Sequence, residues 1–282
     1  MSGRRRTPVM LRLMSRGTAS VFSVALLALL VLTALTGQAM VVALAVLVVQ
    51  GMIAAAPSPP DARGRAHGGP RFVPALLAGV VATLLATFPA LLVGPEGMRA
   101  GREGIVSNGV IAGLVPAVAV AVIAALVAQM LRRDGRPKLV SSTGHAVTLG
   151  VFAALAASWV AASRAVAGAD VVIIGAAGVG AALVVWGLPV SRTVASVGAL
   201  VSASGAAGLA ALLLGGSATP VFGLLLGAAV SIFAVLGQVL GRAWSAGRIH
   251  SSQGWGFPGA LAVALPAPVV HVFGQLLGLP GL

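Results

Sequence analysis

From Gly17 to Pro60 the chain runs for forty-four residues without one charged side chain. A single membrane-crossing helix needs roughly 20 apolar residues to cover roughly 30 Å of hydrocarbon. The stretch Ala19 to Ala56 is therefore too long for one crossing and suits two. Its one polar, glycine-containing interruption is Thr36-Gly37-Gln38. This pattern predicts a helical hairpin over 18–35 and 39–56. Pro57-Ser58-Pro59-Pro60 closes it, because proline has no N–H to donate and disfavours helical geometry in the residue before it.

Hydrophobic residues make up 59% of the chain and charged residues 8%, against roughly 25% charged in ordinary soluble domains. A water-soluble globule of 282 residues has no interior large enough for that much apolar surface. Further apolar runs predict spans over 72–93, 105–131, 145–163, 171–187, 193–214, 221–241 and 258–277. The expected fold is an all-α, polytopic transmembrane helical bundle of about nine spans. A basic arm over 1–17 precedes a single transmembrane domain over 18–278. Pro116 predicts a kink or tilt in the fourth span, and Pro266 and Pro268 predict an interruption of the ninth. Arg5-Arg6 ahead of an apolar run has the look of an export signal, but the run continues into a second span, which suits an uncleaved anchor.

Charge sets the expected orientation, since Lys and Arg near span ends collect on the cytoplasmic side. With nine spans and a cytoplasmic N-terminus, the inner segments carry Arg4, Arg5, Arg6, Arg12, Arg16, Arg63, Arg65, Arg71, Arg132, Arg133, Arg136, Lys138, Arg192, Arg242 and Arg248. The outer segments keep Arg99, Arg102 and Arg164, matched by Glu96, Glu103 and Asp170. Reading the hairpin as one span leaves 8 basic residues inside and 10 outside, so two spans fit the rule and one does not. The C-terminus is then expected outside. The net charge of +13 follows the span ends, where anionic headgroups lie, so membrane lipids rather than nucleic acid are the expected partners. Seventeen Arg against one Lys, with abundant Ala, Gly and Val, suits a high-GC bacterial genome and the bacterial inner membrane.

The absence of cysteine excludes disulfides, thiolate metal sites and cysteine nucleophiles. His67, His145, His250 and His271 lack metal-ligand spacing, and no cofactor or metal is expected. Gly175, Gly178 and Gly180 imitate a dinucleotide-binding turn, but position 177 is Ala and no acid follows Asp170. Close helix packing is the expected use of those glycines, and of the pairs Gly109/Gly113, Gly223/Gly227, Gly237/Gly241 and Gly274/Gly278. Asn108, Gln238, His271 and Gln275 are polar positions expected within spans, where they must find partners inside the bundle. His271 and Gln275 lie one helical turn apart on one face. Interhelical hydrogen bonding is the expected use of these side chains, and a substrate path is the alternative.

Over residues 188–270, Leu188-Pro189-Val190-Ser191-Arg192 is followed by Val235-Leu236-Gly237-Gln238, and then by Ser252-Gln253-Gly254-Trp255-Gly256-Phe257-Pro258-Gly259. This order and spacing resembles the C-terminal part of the phosphatidate cytidylyltransferases, which make CDP-diacylglycerol. The resemblance implies a nucleotide loop on the cytoplasmic face. The chain departs from the family where the chemistry lies. Ser191 stands for the lysine, Gln238 for the aspartate, and Ser251-Ser252 for a Lys-Asp pair. No carboxylates remain there to hold a divalent metal against a triphosphate.

The expected function is thus that of a non-catalytic accessory or lipid-interacting protein, with Arg192, Arg242 and Arg248 contacting anionic headgroups or phosphate. A cytidylyltransferase-like enzyme with an altered site and a small-molecule transporter or permease subunit are the alternatives.

Overall fold

A computed structural model describes residues 9–57, 71–89, 91, 109–132, 138–165, 168–216, 218–245 and 252–277. Among these residues the chain forms eleven helices and no strand. They are α1 (Val9–Ala34), α2 (Ala39–Ala54), α3 (Phe72–Thr87), α4 (Gly109–Met130), α5 (Leu139–Ala156), α6 (Ser158–Ser163), α7 (Gly168–Trp186), α8 (Arg192–Leu214), α9 (Pro220–Trp244), α10 (Ser252–Ala264) and α11 (Ala267–Leu276). Seven helical segments, two of them the consecutive pairs α5–α6 and α10–α11, are long and apolar enough to cross a membrane. Helices α2 and α3 are apolar but only 16 residues long. Leu32, Leu44, Leu84, Val115, Ile123, Leu213, Leu225 and Ile232 are exposed on the helix surfaces. Such an apolar exterior suits lipid rather than water, and the chain is a multi-pass helical membrane protein.

Local chemistry explains the element ends. The hairpin turn has Gly37 at φ 69°, a left-handed conformation that glycine adopts without steric cost. Thr36 Oγ1 donates to the Thr33 carbonyl at 2.7 Å and accepts from Gln38 N at 3.3 Å, which satisfies backbone groups at the turn. Ser191 caps α8 by accepting from Val194 N, and Gly215 at φ 60° ends that helix. Thr219 caps α9 by accepting from Phe222 N, with Pro220 at the first helical position.

Several boundaries differ from the sequence expectation. Helix α1 begins at Val9, inside the expected basic arm, rather than at 18, and α3 ends at Thr87 rather than at 93. Helix α5 begins at Leu139 rather than His145, because its polar first turns find partners. Ser142 accepts a hydrogen bond from Gln129 at 2.7 Å, and Ser141 Oγ lies 3.3 Å from His145 Nδ1. The last span begins at Ser252, with Pro258 inside α10, and α9 runs on to Trp244. The interruption expected at Pro266 is present: α10 ends at Ala264 and α11 starts at Ala267. A second break, at Ala157 between α5 and α6, has no proline to announce it.

Helices α3, α4 and α5 pack together on one flank, and α7, α8 and α9 on the other. Helices α1 and α2 and the pair α10–α11 lie between these flanks. The pairs α5–α6 and α10–α11 are the most buried of the membrane-length segments, whereas α4 and α8 are peripheral. Small residues set the close contacts of α9. A Cβ at Gly223 or Gly227 would strike the α8 backbone at Ala207 or Ala203, and one at Gly237 would meet Ala262 Cα of α10 at 2.7 Å. The same holds for the dinucleotide-like glycines of α7: Gly175 abuts Val270 of α11, and Gly178 abuts Gly227 of α9. These glycines serve internal packing.

Candidate functional site

Long-range contacts sort the helix ends into two sets. Trp244 Nε1 donates to the Pro57 carbonyl at 2.9 Å, Gln238 Nε2 donates to Ser20 Oγ at 3.3 Å, and Gly187 lies against Ser20. The start of α1 and the ends of α2, α7 and α9 therefore share one end of the bundle. His145 near the start of α5 stacks edge-on against Trp244 at 5.2 Å, and Arg71 lies near enough to His145 for their charges to interact. At the other end, Arg164 Nη1 donates to the Thr87 carbonyl at 2.9 Å, and Gly216 sits over Asp170. Arg71, Arg132, Lys138, Arg192 and Arg242 thus belong to the first end, and Arg164 and Asp170 to the second. Asp170 is the sole carboxylate among the described residues.

The basic end contains one device built twice. Buried Gln129 of α4 donates through Nε2 to Ser142 Oγ of α5, and its Oε1 accepts from Arg132 Nη1 at 2.8 Å. Buried Gln238 of α9 donates to Ser20 of α1, and its Oε1 accepts from Arg242 Nη2. Each glutamine amide is engaged on both sides, so it orients a guanidinium at a helix C-terminus, where positive charge also complements the helix dipole. Arg242, expected at the headgroups, thus also makes an inward contact. Arg192 is exposed at the first turn of α8. Arg248 and Asn108 lie outside the described residues.

The interior holds a different kind of polar chemistry. A helix broken inside hydrocarbon leaves carbonyls that water cannot reach, and each needs another partner. At the α10–α11 break, fully buried Trp159 of α6 supplies one by donating Nε1–H to the Val263 carbonyl at 2.9 Å. The two most buried spans are therefore joined at their breaks. Gln50 of α2 is fully buried and donates to Thr83 Oγ1 at 2.7 Å and to the Ala153 carbonyl at 3.0 Å. Gly79 makes room for that amide, since a Cβ there would come within 2.9 Å of Gln50 Cδ. Among the described residues, Gln50 Oε1, Ser158 Oγ and His271 Nδ1 are buried without a hydrogen-bond partner. His271 lies beside the Ala161 carbonyl, and Gln275, one turn on, is half-buried.

Sequence reasoning missed Gln50, Gln129 and Trp159. Gln50 had a usable signal, being the lone amide in the expected span 39–56. Gln129, an amide inside the expected span 105–131, had the same signal, whereas Trp159 had none, because its partner is 104 residues away. Of the positions aligned with the cytidylyltransferase pattern, Ser191 is a helix cap and Gln238 is held between Ser20 and Arg242. No group of three His, Cys, Asp or Glu able to hold a metal occurs among the described residues.

Comparison with known proteins finds no matching family model, no matching curated protein and no matching solved structure.

Proposed function

We propose that this chain is a nine-span protein of the bacterial inner membrane, N-terminus inside and C-terminus outside, which engages anionic lipid through its basic cytoplasmic end and carries out no catalysis. The observation that carries the reading is the paired Ser–Gln–Arg arrangement, which spends two buried amides on orienting Arg132 and Arg242 at one end of the bundle. Helices α2 and α3 count as spans in this reading because each runs from one end of the bundle to the other. Gln50 and Thr83 meet inside, Pro57 reaches Trp244 at the basic end, and Thr87 reaches Arg164 at the far end. Their length of about 24 Å, at about 1.5 Å per residue, is extended by the apolar Ala55 and Ala56 and by Phe88.

The test reverses charge at Arg192 and Arg248, which leaves the Gln238–Arg242 contact intact. Anionic lipid co-extracted with the protein in polymer-bounded particles is expected to fall, by roughly 1 kcal/mol of attraction per basic residue. Unchanged anionic enrichment both in the Arg192→Glu/Arg248→Glu protein and in an Arg132→Gln/Arg242→Gln protein rules the reading out. A CTP-binding measurement in nanodiscs addresses the enzyme alternative: magnesium-dependent binding lost in Arg192→Ala would replace this reading with a nucleotide site.

A second reading, transport, draws on the two broken spans joined by Trp159 and on Ser158 Oγ and His271 Nδ1, buried without a hydrogen-bond partner. Discontinuous helices at mid-membrane are where transporters build their sites. Flux into proteoliposomes that vanishes in the His271→Ala/Gln275→Ala protein would favour it.

A further inference from the structure

Between α3 and α4 an open apolar groove of about 390 Å³ runs down the outer face of the bundle. Its floor is a row of smaller side chains on α4, Val120, Ala124 and Ala128, and one wall is the adjacent row Ile123, Val127 and Leu131. Residues four apart on a helix form such rows. Val73 and Leu77 of α3 make the other wall. Its lining is apolar throughout, so a polar or charged solute gains nothing by entering it.

The groove has a defined depth and a charged mouth. From Leu131 down to Val120 it follows eleven residues of α4, about 16 Å at about 1.5 Å per residue. That is about half of the roughly 30 Å hydrocarbon core, the reach of acyl chains in one leaflet. Arg132 directly follows Leu131 at the mouth, with Gln129 holding one edge of its guanidinium. Arg71, the N-cap of α3, lies at the same end but on the buried face of that helix, with Nη1 buried and its charge beside His145 of α5, so Arg132 is the cation at the mouth.

We infer that this groove is a binding site for one anionic phospholipid of the leaflet at the basic end, with its phosphate at Arg132 and an acyl chain along Val120, Ala124 and Ala128. The inference rests on, and deepens, the lipid-binding reading given above. Charge complementarity selects an anionic head, and the apolar lining and one-leaflet depth select a chain. A soluble phosphate or nucleotide would use the first and leave the second unused.

The full-length protein is assembled in nanodiscs containing equal phosphatidylglycerol and phosphatidylcholine, and retained lipid is counted by native mass spectrometry. The parent protein is expected to retain phosphatidylglycerol preferentially. Arg132→Gln is expected to weaken that retention about fivefold, from one basic contact near the membrane surface. Ala124→Trp, which fills the groove and keeps Arg132, is expected to lower it to a similar degree with phosphatidylcholine unchanged. Retention surviving Arg132→Gln overturns the headgroup site. Retention surviving Ala124→Trp overturns the chain site and leaves only headgroup capture. Should the arginine variant fail to fold, Ala124→Trp decides alone. Loss confined to Arg192→Glu/Arg248→Glu overturns this inference while sparing the broader one, and absence of any preference in the parent removes both.

Discussion

Trp159 shows what a single side chain must do inside a membrane. Its indole N–H meets the Val263 carbonyl, which the chain break before Pro266 deprives of regular helical surroundings. Replacing it by Phe keeps most of the packing volume and removes the donor. Leaving a buried acceptor unpaired costs about 1–3 kcal/mol, whereas polar contacts between membrane helices average nearer about 0.6 kcal/mol. Because the contact lies at a break in both spans, Trp159→Phe is expected to lose about 1–2 kcal/mol. Unfolding in mixed detergent–SDS micelles measures it, and parental stability would show that another donor takes over the carbonyl. The glutamines teach a related lesson. Gln129 and Gln238 sit near the cytoplasmic ends that charge counting assigns, yet their side chains point inward to serines on neighbouring helices.

At the scale of elements, α9 makes the most extensive helix–helix contact of the bundle, with α8, and glycine is the reason. Its Gly223/Gly227 pair admits the α8 backbone, and its Gly237/Gly241 pair admits α10 at Ala262 and Pro258. A methyl group at Gly227 has no room short of moving α8, because it would strike the Ala203 carbonyl and Ser204 Cα. Gly227→Ala is therefore expected to destabilise the bundle by about 1–3 kcal/mol, the usual cost of overpacking. Gly205 on α8 faces open space, so Gly205→Ala is expected to be neutral or to stabilise by up to about 1 kcal/mol through helix propensity. Equal effects of the two substitutions in one unfolding assay would contradict the packing described here. The glycine spacing was visible in the sequence. Its use was not, since the same pattern serves a dimer face, a nucleotide turn or an internal contact.

For the whole molecule the testable property is sidedness. The chain has no cysteine, so single cysteines can be placed without removing others. In the proposed topology Thr36→Cys and Ser217→Cys are expected to react with a membrane-impermeant maleimide added to intact cells. Ser191→Cys is expected to react only after permeabilisation. The reverse pattern would place the basic end outside, against the charge rule. Labelling of Thr36→Cys and Ser191→Cys from the same side would remove α2 or α3 from the count of spans.

Membrane residence, the helical hairpin, the approximate position of each apolar segment and the break at Pro266 followed from the sequence alone. Hydrophobic transfer, proline geometry and flanking charge act residue by residue along a short window, so a linear reading recovers them. The break at Ala157, the start of α5 at Leu139 and the groove between α3 and α4 needed the tertiary structure. So did the pairing of Gln238 with Ser20 across 218 residues and of Trp159 with Val263 across 104. In hydrocarbon each of these polar groups must be satisfied by another part of the chain. Which part supplies the partner is a property of packing, and no local window contains it.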